Sequence, residues 1–189
     1  ALYPALAQIT TAPEFPRSLK GVKADCVMTL LRGKTELAHS EGEALFADTG
    51  VSGPAAFDLT RTVATSGEGL TLSLDLLRDY SFGEVLDYLR ERQNAAPQLT
   101  AGEAFIGAVP NRLARMLAKY AGVRQDAPVT SLDARALLGM ANAAKRFELP
   151  VRGTEGFGTA QVTAGGIKTS EFDAATMRSR LVPGLYACG

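Results

Sequence analysis

The 189-residue sequence contains one histidine, His39, and two cysteines, Cys26 and Cys188, and these three residues bound the nucleophilic and metal chemistry open to it. A serine or cysteine nucleophile needs an adjacent base, most often an imidazole oriented by a carboxylate. His39 lies in a strand-turn region and no Gly-x-Ser-x-Gly elbow is present, so it is read as an exposed or hydrogen-bonded strand histidine. Zinc requires three or four ligands at characteristic spacing, and neither a CxxC nor a His/Cys cluster occurs, so no metal site is expected. The two distant cysteines are read as reduced thiols of a cytoplasmic protein.

Glycine-rich turns are the next candidates. The stretch GTEGFGTAQ carries Gly156 and Gly158, but Gln161, Val162 and Thr163 follow where a dinucleotide fingerprint would open a helix. It is therefore read as a turn between strands rather than a pyrophosphate cradle. No GxxxxGK[ST] is present either. Two stretches remain that could touch a ligand. Gly50-Val51-Ser52-Gly53-Pro54 sets a flexible turn at a helix start, with Ser52 or Gly53 as the cap and Pro54 in the first turn. Such an end can accept an anion, but for ~0.3–1 kcal/mol, against the ~8 kcal/mol of micromolar cofactor affinity. The second stretch is Val162-Thr163-Ala164-Gly165-Gly166-Ile167, where paired glycines permit positive φ and close approach to the backbone, or simply form a two-residue hairpin turn.

Composition narrows the class. Twenty Lys+Arg balance twenty Asp+Glu, which leaves no global electrostatic footprint for nucleic acid or an anionic membrane. The 46% hydrophobic and 21% charged content is that of a globular protein, and no apolar run is long enough to span a bilayer.

The elements that must position these residues fall into three blocks. Residues 1–77 read as β-rich. A short strand is expected at 6–10, and residues 22–32 alternate with Val22, Ala24, Cys26, Met28 and Leu30 on one face. Turns at Gly33 and Gly42 then predict two further strands over 34–39 and 43–47, followed by the helix opening at Pro54. Residues 69–77 return to alternation, with leucines at 70, 72, 74 and 76 on one side. Residues 78–147 carry the helical period and predict four helices. Ser81 with Glu84 and Thr100 with Glu103 form capping boxes, the second ahead of AFIGAV. Pro110 opens a helix with Leu113, Met116, Leu117 and Tyr120 on one stripe and Gly122 as its stop. The last helix, over 132–147, turns Leu137, Leu138, Met140, Ala141 and Ala144 inward. Residues 148–189 go back to strands, over 148–153, 159–163, 167–170 and 181–188, with Gly165-Gly166 as a hairpin turn. The architecture expected is α+β, a small β-barrel-like or antiparallel sheet unit from 1–77 and 148–189 with an inserted helical subdomain at 78–147.

Taken in order, ALYPALAQIT, LKGVKADCVMTL, LFADTGVSGPAAFDLTR and GTEGFGTAQVTAGGIKTSEFDAATMRSRLVPGLYACG resemble the central part of the aminoacetone oxidase-like FAD-binding flavoproteins, also called NAD(FAD)-utilising dehydrogenases. The resemblance runs from end to end and is most specific in the last forty residues. It implies the insert of an FAD-dependent oxidoreductase acting on a small molecule, with FAD held by a cofactor-binding domain of the same parent chain and NAD(P)H as a candidate reductant. It places Thr163, Ala164, Gly165 and Gly166 near the junction with the cofactor, and Ser52 and Gly53 on the opposite side of a substrate cleft. The family pattern F-T-H-x-G carries a histidine where this chain has Asp48, which puts its acid–base chemistry or substrate at variance with the family. The chain by itself is expected neither to bind FAD nor to turn over, and to expose apolar residues around Leu2, Leu6, Val182 and Leu185. The alternative is a non-catalytic binding or interaction module. Nucleic acid and membrane are not expected as partners.

Overall fold

The computed structural model describes residues 1–188; Gly189, the end of the last predicted β-block, lies outside them. Six strands close into an antiparallel barrel in the order β2 (Ile9–Thr11), β5 (Gly50–Ser52), β4 (Thr35–Phe46), β3 (Lys23–Arg32), β6 (Leu70–Asp75) and β7 (Phe147–Thr154), with β7 pairing back onto β2. Three helices, α2 (Phe82–Ala95), α3 (Asn111–Tyr120) and α4 (Ala134–Lys145), are inserted between β6 and β7, and α1 (Pro54–Ser66) follows β5. The fold is α+β, as the two periodicities predict. Closure removes the exposed strand edges that an open sheet of this length would present.

Alternation decides the barrel interior. Ala24, Cys26, Met28 and Leu30 of β3 and Leu70, Leu72 and Leu74 of β6 are buried, while of the residues between them only Ser73 is also buried and the rest face outward or lie half-covered. Helix α1 touches strands β2, β3, β4, β5 and β7. Its buried Thr60 hydroxyl is bonded to the Ala7 and Ala56 carbonyls, at 3.1 and 3.2 Å. Ser40 of β4 donates to Asp58 at 2.8 Å. The inserted helices join the barrel through one continuous apolar core. Lys145, at the end of α4, reaches Asp75 at 2.7 Å and the Leu77 carbonyl at 3.0 Å, and also bonds the Tyr80 carbonyl.

Several local expectations are corrected. Residues 34–47 form one twelve-residue strand, because Gly42 bends rather than turns the chain, at φ +140° against Ala55 of α1. Thr100 and Glu103 do form a capping box, but only a 3-10 turn (Ala101–Glu103) follows. The amides of Ala104, Ile106 and Ala108 bond carbonyls three residues back rather than four, and Gly107 at φ +87° turns the chain before a helix can propagate. The insert thus has three α-helices rather than four, and Leu138 is exposed instead of core. Residues 167–170 and 181–188 form no strand; a 3-10 turn (Thr169–Glu171) and two isolated bridges replace them.

Burial leaves Cys26 and Cys188 chemically opposite, both as free thiols. Burial first, then the Asp25 and Asp75 carboxylates, push the Cys26 thiol from 9.0 up to about 12, with Arg78 opposing. An unfolded thiol ionises at the lower value, so this residue's contribution is intact below pH 9 and is lost as the pH climbs from there toward about 12. At about pH 8 a disulfide reagent therefore titrates one thiol, Cys188, in the native protein and two in denaturant; two fast equivalents in the native state contradict this burial.

Candidate functional site

The chain enters and leaves the barrel at the same end. Ahead of β2 lies β1 (Leu2–Ala5), beyond β7 lies β8 (Val162–Gly165), and these two pair antiparallel as a ribbon outside the barrel. Between ribbon and barrel, the Glu155 amide donates to the Gln8 carbonyl at 3.1 Å and the Gln161 amide to the Leu6 carbonyl at 3.3 Å. Closing this end is the β4–β5 turn, where the Ala47 amide donates to the Gly50 carbonyl at 2.9 Å. Asp48 and Thr49 therefore stand at its tip.

Three chain segments meet there. Gln8 Nε2 donates to Thr49 Oγ1 at 2.6 Å and lies 3.1 Å from Glu155 Oε1, while the Thr49 hydroxyl donates to that same Oε1 at 2.9 Å. Beside this triangle, Lys20 and Asp48 form an ion pair. Together with Gly21, Leu45, Phe46 and Ala47 these groups line an open cleft of about 490 Å³. An amide, a hydroxyl, two carboxylates and an ammonium converging on one cleft can orient a polar molecule, donate to a carbonyl and accept from N–H or O–H groups.

A larger groove, about 690 Å³, runs beside α2 between Val85, Tyr88 and Ile106. Two of its three carboxylates are engaged, Glu84 capping the helix through Ser81 and Asp87 pairing with Arg90 at 2.9 Å, while Glu91 is in no ion pair among the described residues. The Ser81 bonds hold the Glu84 carboxyl below its ordinary range. In that groove the Arg92 guanidinium donates to the Tyr88 hydroxyl and the Ile106 carbonyl, all within the helical insert, whereas the polar groups of the barrel mouth come from three separated segments.

Of the residues expected at the site, Asp48 is in this cleft. Ser52 is the last residue of β5, opposite Leu45, and half-buried. Gly53 is the N-cap of α1 and makes no side-chain cap; at φ +99° an added Cβ would stand 2.5 Å from the Glu43 carbonyl oxygen, so strand packing dictates glycine there. Thr163, Ala164 and Gly165 lie in β8 opposite Pro4, Tyr3 and Leu2. The group that approaches the Gly165 backbone is thus the Ala1 carbonyl, 2.1 Å from where a Cβ would be, and the expected Gly165-Gly166 hairpin is instead the end of a ribbon with the N-terminus. Gly166, at φ +149°, has nothing within 4 Å of its missing Cβ, so its backbone face is open. Gln8, Lys20 and Glu155 were not anticipated. Barrel closure alone brings them together, and no local pattern marks them. His39 is an exposed strand residue with Nδ1 2.7 Å from Glu36 Oε1.

Beyond the barrel, residues 171–187 hold themselves together. The Asp173 carboxylate accepts from the Ala175 and Thr176 amides and the Thr176 hydroxyl at 2.8–3.1 Å, which keeps it below its ordinary range. Ser179 Oγ accepts from the Leu181 and Val182 amides at 3.2 and 3.1 Å. Despite this order, among the described residues nine of the twelve large hydrophobic side chains left exposed belong to Leu2 and to residues 157–186, among them Ile167, Leu181, Val182, Leu185 and Tyr186. Leu2, Val182 and Leu185 were expected here; Leu6 is half-buried. Among the described residues no helix is long and apolar enough to cross a membrane, and no group of three or more His, Cys, Asp or Glu could hold a metal ion.

Comparison with known proteins gives this arrangement a family. The chain is similar to a 3-dehydro-bile acid delta(4,6)-reductase of Clostridium scindens, 29% identical over 189 residues that cover 98% of this chain and 46% of the relative. It is also similar to ribosomal RNA dihydrouridine synthases of Escherichia coli, 32% identical over 77% of this chain and 34% of the relative, and of Haemophilus influenzae, 25% identical over 93% and 41%. The chain thus spans less than half the length of these relatives. Residues 3–162, which carry the barrel and the inserted helices, match the model of one domain family, and the chain belongs to that family, the HI0933-like protein barrel and H2TH domain.

Proposed function

We propose that this chain is the substrate-side domain of an FAD-dependent oxidoreductase of the aminoacetone oxidase-like type, acting in the cytoplasm on a small molecule. One observation carries the reading: the exposed apolar residues gather in the segment after position 162, beyond the matched family domain, and on Leu2 beside it. Patches of this kind are covered in the working protein, and the partner that fits is the cofactor-binding domain of the same parent chain. A relative named as a reductase and spanned to 46% of its length supports the reading.

The residues present fit a flavin at that junction. Gly166 offers an unobstructed backbone face, where a flat ring can lie against main-chain atoms, with Thr163, Ala164 and Gly165 in the ribbon leading to it. The flavin supplies the two-electron chemistry, with NAD(P)H as its proposed reductant. This chain's own residues bind and orient. The Lys20 ammonium, paired with Asp48 through one of its three N–H groups, donates to a substrate carbonyl, Glu155 Oε2 and Asp48 accept from its N–H or O–H groups, and the Gln8–Thr49–Glu155 bonds hold the Glu155 carboxylate in place. Ser52 contributes indirectly, as the ladder partner of Leu45, which lines the cleft, and Gly53 follows it outside that lining.

The experiment is the visible spectrum of the full-length parent after gentle purification. A yellow protein whose bound flavin is bleached by NAD(P)H is the expected result; a colourless, flavin-free one overturns the reading. This chain alone is expected to show no saturable FAD binding and no turnover, and low-micromolar quenching of FAD fluorescence by it would overturn the divided site. The competing reading, a binding module without redox role, uses the same apolar face and is separated from ours by that spectrum.

A further inference from the structure

We propose that the groove beside α2 is the centre of a homodimer interface, in which the acidic edge of α2 in one copy meets the basic face of α3 in a second copy. The groove stands apart from the ribbon and the segment after it: it shares no lining residue with the barrel-mouth cleft and none with residues 157–186. Among the described residues, two of the three large hydrophobic side chains exposed elsewhere are Tyr80 and Phe82, at 55% and 41%. Tyr80 lines the groove, and Phe82 opens α2, whose following turns supply one wall of it. Half-buried Tyr88 and Ile106 add apolar surface between them. Exposed apolar surface rimmed by charge marks an interaction site, and the junction with a cofactor domain accounts for the exposed residues at Leu2 and 157–186, not for these.

Charge selects the occupant. Along the groove α2 presents Glu84, Asp87 and Glu91, all exposed, at a spacing of three and then four residues that sets them in one row. Helix α3 exposes Arg112, Arg115 and Lys119 at that same spacing and contains no acid. One member of each row is committed within its own chain: Glu84 to the cap of α2, and Arg112 to the Ser18 and Lys20 carbonyls at 2.7 and 3.0 Å. What remains is Asp87 with Glu91 and Arg115 with Lys119, two sets of opposite sign, each spanning four residues or ~6 Å of helix. The Asp87–Arg90 pair is exposed on both sides, and a pair of that kind holds its partners weakly enough to yield to a new contact. Glu103, the acid that Arg115 feels in its own chain, gives its carboxylate to the Thr100 amide and hydroxyl. The second wall of the groove is Ile106–Ala108, the chain that leads into α3 at Asn111, so the groove lies between the acidic row and the approach to the basic helix. A twofold axis through it exchanges the two rows. Each α2 then meets the α3 of the other copy, both contacts form at once, the exposed Tyr80 and Phe82 of each copy are covered, and the assembly closes at two. A basic peptide from a foreign protein would satisfy α2 alone and leave α3 unmatched. Dimerisation is independent of the redox reading.

The test is sedimentation equilibrium of the full-length protein over a concentration series. Wild type is expected to pass from the mass of one chain to that of two and no further; a single-chain mass up to roughly 100 μM, or growth beyond two chains, overturns the proposal. Asp87→Lys with Glu91→Lys, and separately Arg115→Glu with Lys119→Glu, are each expected to raise the dimer dissociation constant at least about tenfold, because like charges then face each other. Mixed in equal amounts, the two variants are expected to dimerise again at close to wild-type strength, since both contacts of the mixed pair regain opposite charges. Either variant dimerising alone as wild type does, or a mixture that stays dissociated, overturns the α2–α3 pairing. Lys34→Glu with Arg61→Glu makes an equal charge change elsewhere and is expected to match wild type; an equal loss there overturns the proposal. Tyr80→Ser is expected to weaken the dimer several-fold, and an unchanged constant overturns the groove as its centre. Should a reversal fail to fold, Asp87→Asn with Glu91→Gln and Arg115→Gln with Lys119→Gln replace it, and an unchanged dimer in either overturns the proposal. A flavin-free dimer leaves this interface standing and removes the redox reading; a yellow monomer does the reverse.

Discussion

Phe147→Ala lowers the unfolding free energy by about 3–5 kcal/mol, the cost of emptying a large aromatic site in a packed core. Phe147 opens β7 and is fully buried. Its ring meets Phe15 at 5.8 Å, Phe46 at 6.2 Å and Tyr120 at 4.7 Å between centroids, the first two edge-to-face. Such geometry adds stabilisation beyond area. These rings come from the loop before the Pro16–Leu19 turn, from β4 and from the end of α3, so one side chain ties the barrel to the inserted helices. The Tyr120 hydroxyl accepts from the Glu148 amide at 3.1 Å and fixes the same corner. Urea unfolding followed by far-ultraviolet circular dichroism measures the loss. A second transition in the variant would show that the barrel and the helices now unfold apart, which a single shared core forbids in the wild type. A loss below about 1 kcal/mol would mean that the corner collapses without a cavity.

The same corner shows what a sequence can reveal. Strands β3 and β6 were legible because each buries one face, so a period of two is written into Val22–Leu30 and Leu70–Leu76. Helix α2 was legible from Ser81 and Glu84, whose reciprocal bonds form locally at 3.3 and 2.7 Å. Where tertiary partners decide, local signals mislead. The Thr100–Glu103 box is real, but the amides after it bond three residues back and Gly107 turns the chain towards α3. Gly42 reads as a turn and is a bend inside a strand, because α1 packs over it. The strands expected over 167–170 and 181–188 fail for a different reason: their apolar residues have no partner within the described chain.

The candidate site was legible only in part. Asp48 came from resemblance to a family pattern, and Thr163–Gly166 from paired glycines whose neighbour, the N-terminal β1, no local rule could name. Gln8, Lys20 and Glu155 are ordinary surface residues in isolation. They acquire a role because β2 pairs with both β5 and β7, which folds positions 8, 49 and 155 onto one rim. The exposed cations of α3, Arg112, Arg115 and Lys119, show the complementary blindness. A balanced total of charge says nothing of how it is distributed once helices choose their outward faces.

That double pairing of β2 makes Gly50→Ala the second large-effect substitution. Gly50 sits opposite Thr10 in the β2–β5 ladder, and a Cβ built on it would stand 1.9 Å from the Ile9 carbonyl oxygen and 2.9 Å from its carbon. Those atoms are backbone, so no side chain can rotate away, and relief requires β5 to part from β2. Strand β2 has only three residues and is the one element linking β5 to β7, so parting it opens the barrel. An opened barrel exposes Ile9, Val51 and Phe46, each at most 1% exposed in the closed form, and separates Thr49 from Gln8 and Glu155. The expected outcome is a loss of more than about 3 kcal/mol, enough to remove much of a marginal domain's stability, with aggregation through the freed edge. Amide exchange distinguishes this from simple strain. The Thr11 amide, which donates to the Thr49 carbonyl at 2.9 Å, should lose its protection while the β3–β6 amides keep theirs. A Gly50→Ala protein that melts with wild type and protects Thr11 would mean that the β2–β5 approach is looser than described, and that the cleft at the barrel mouth is not held by closure.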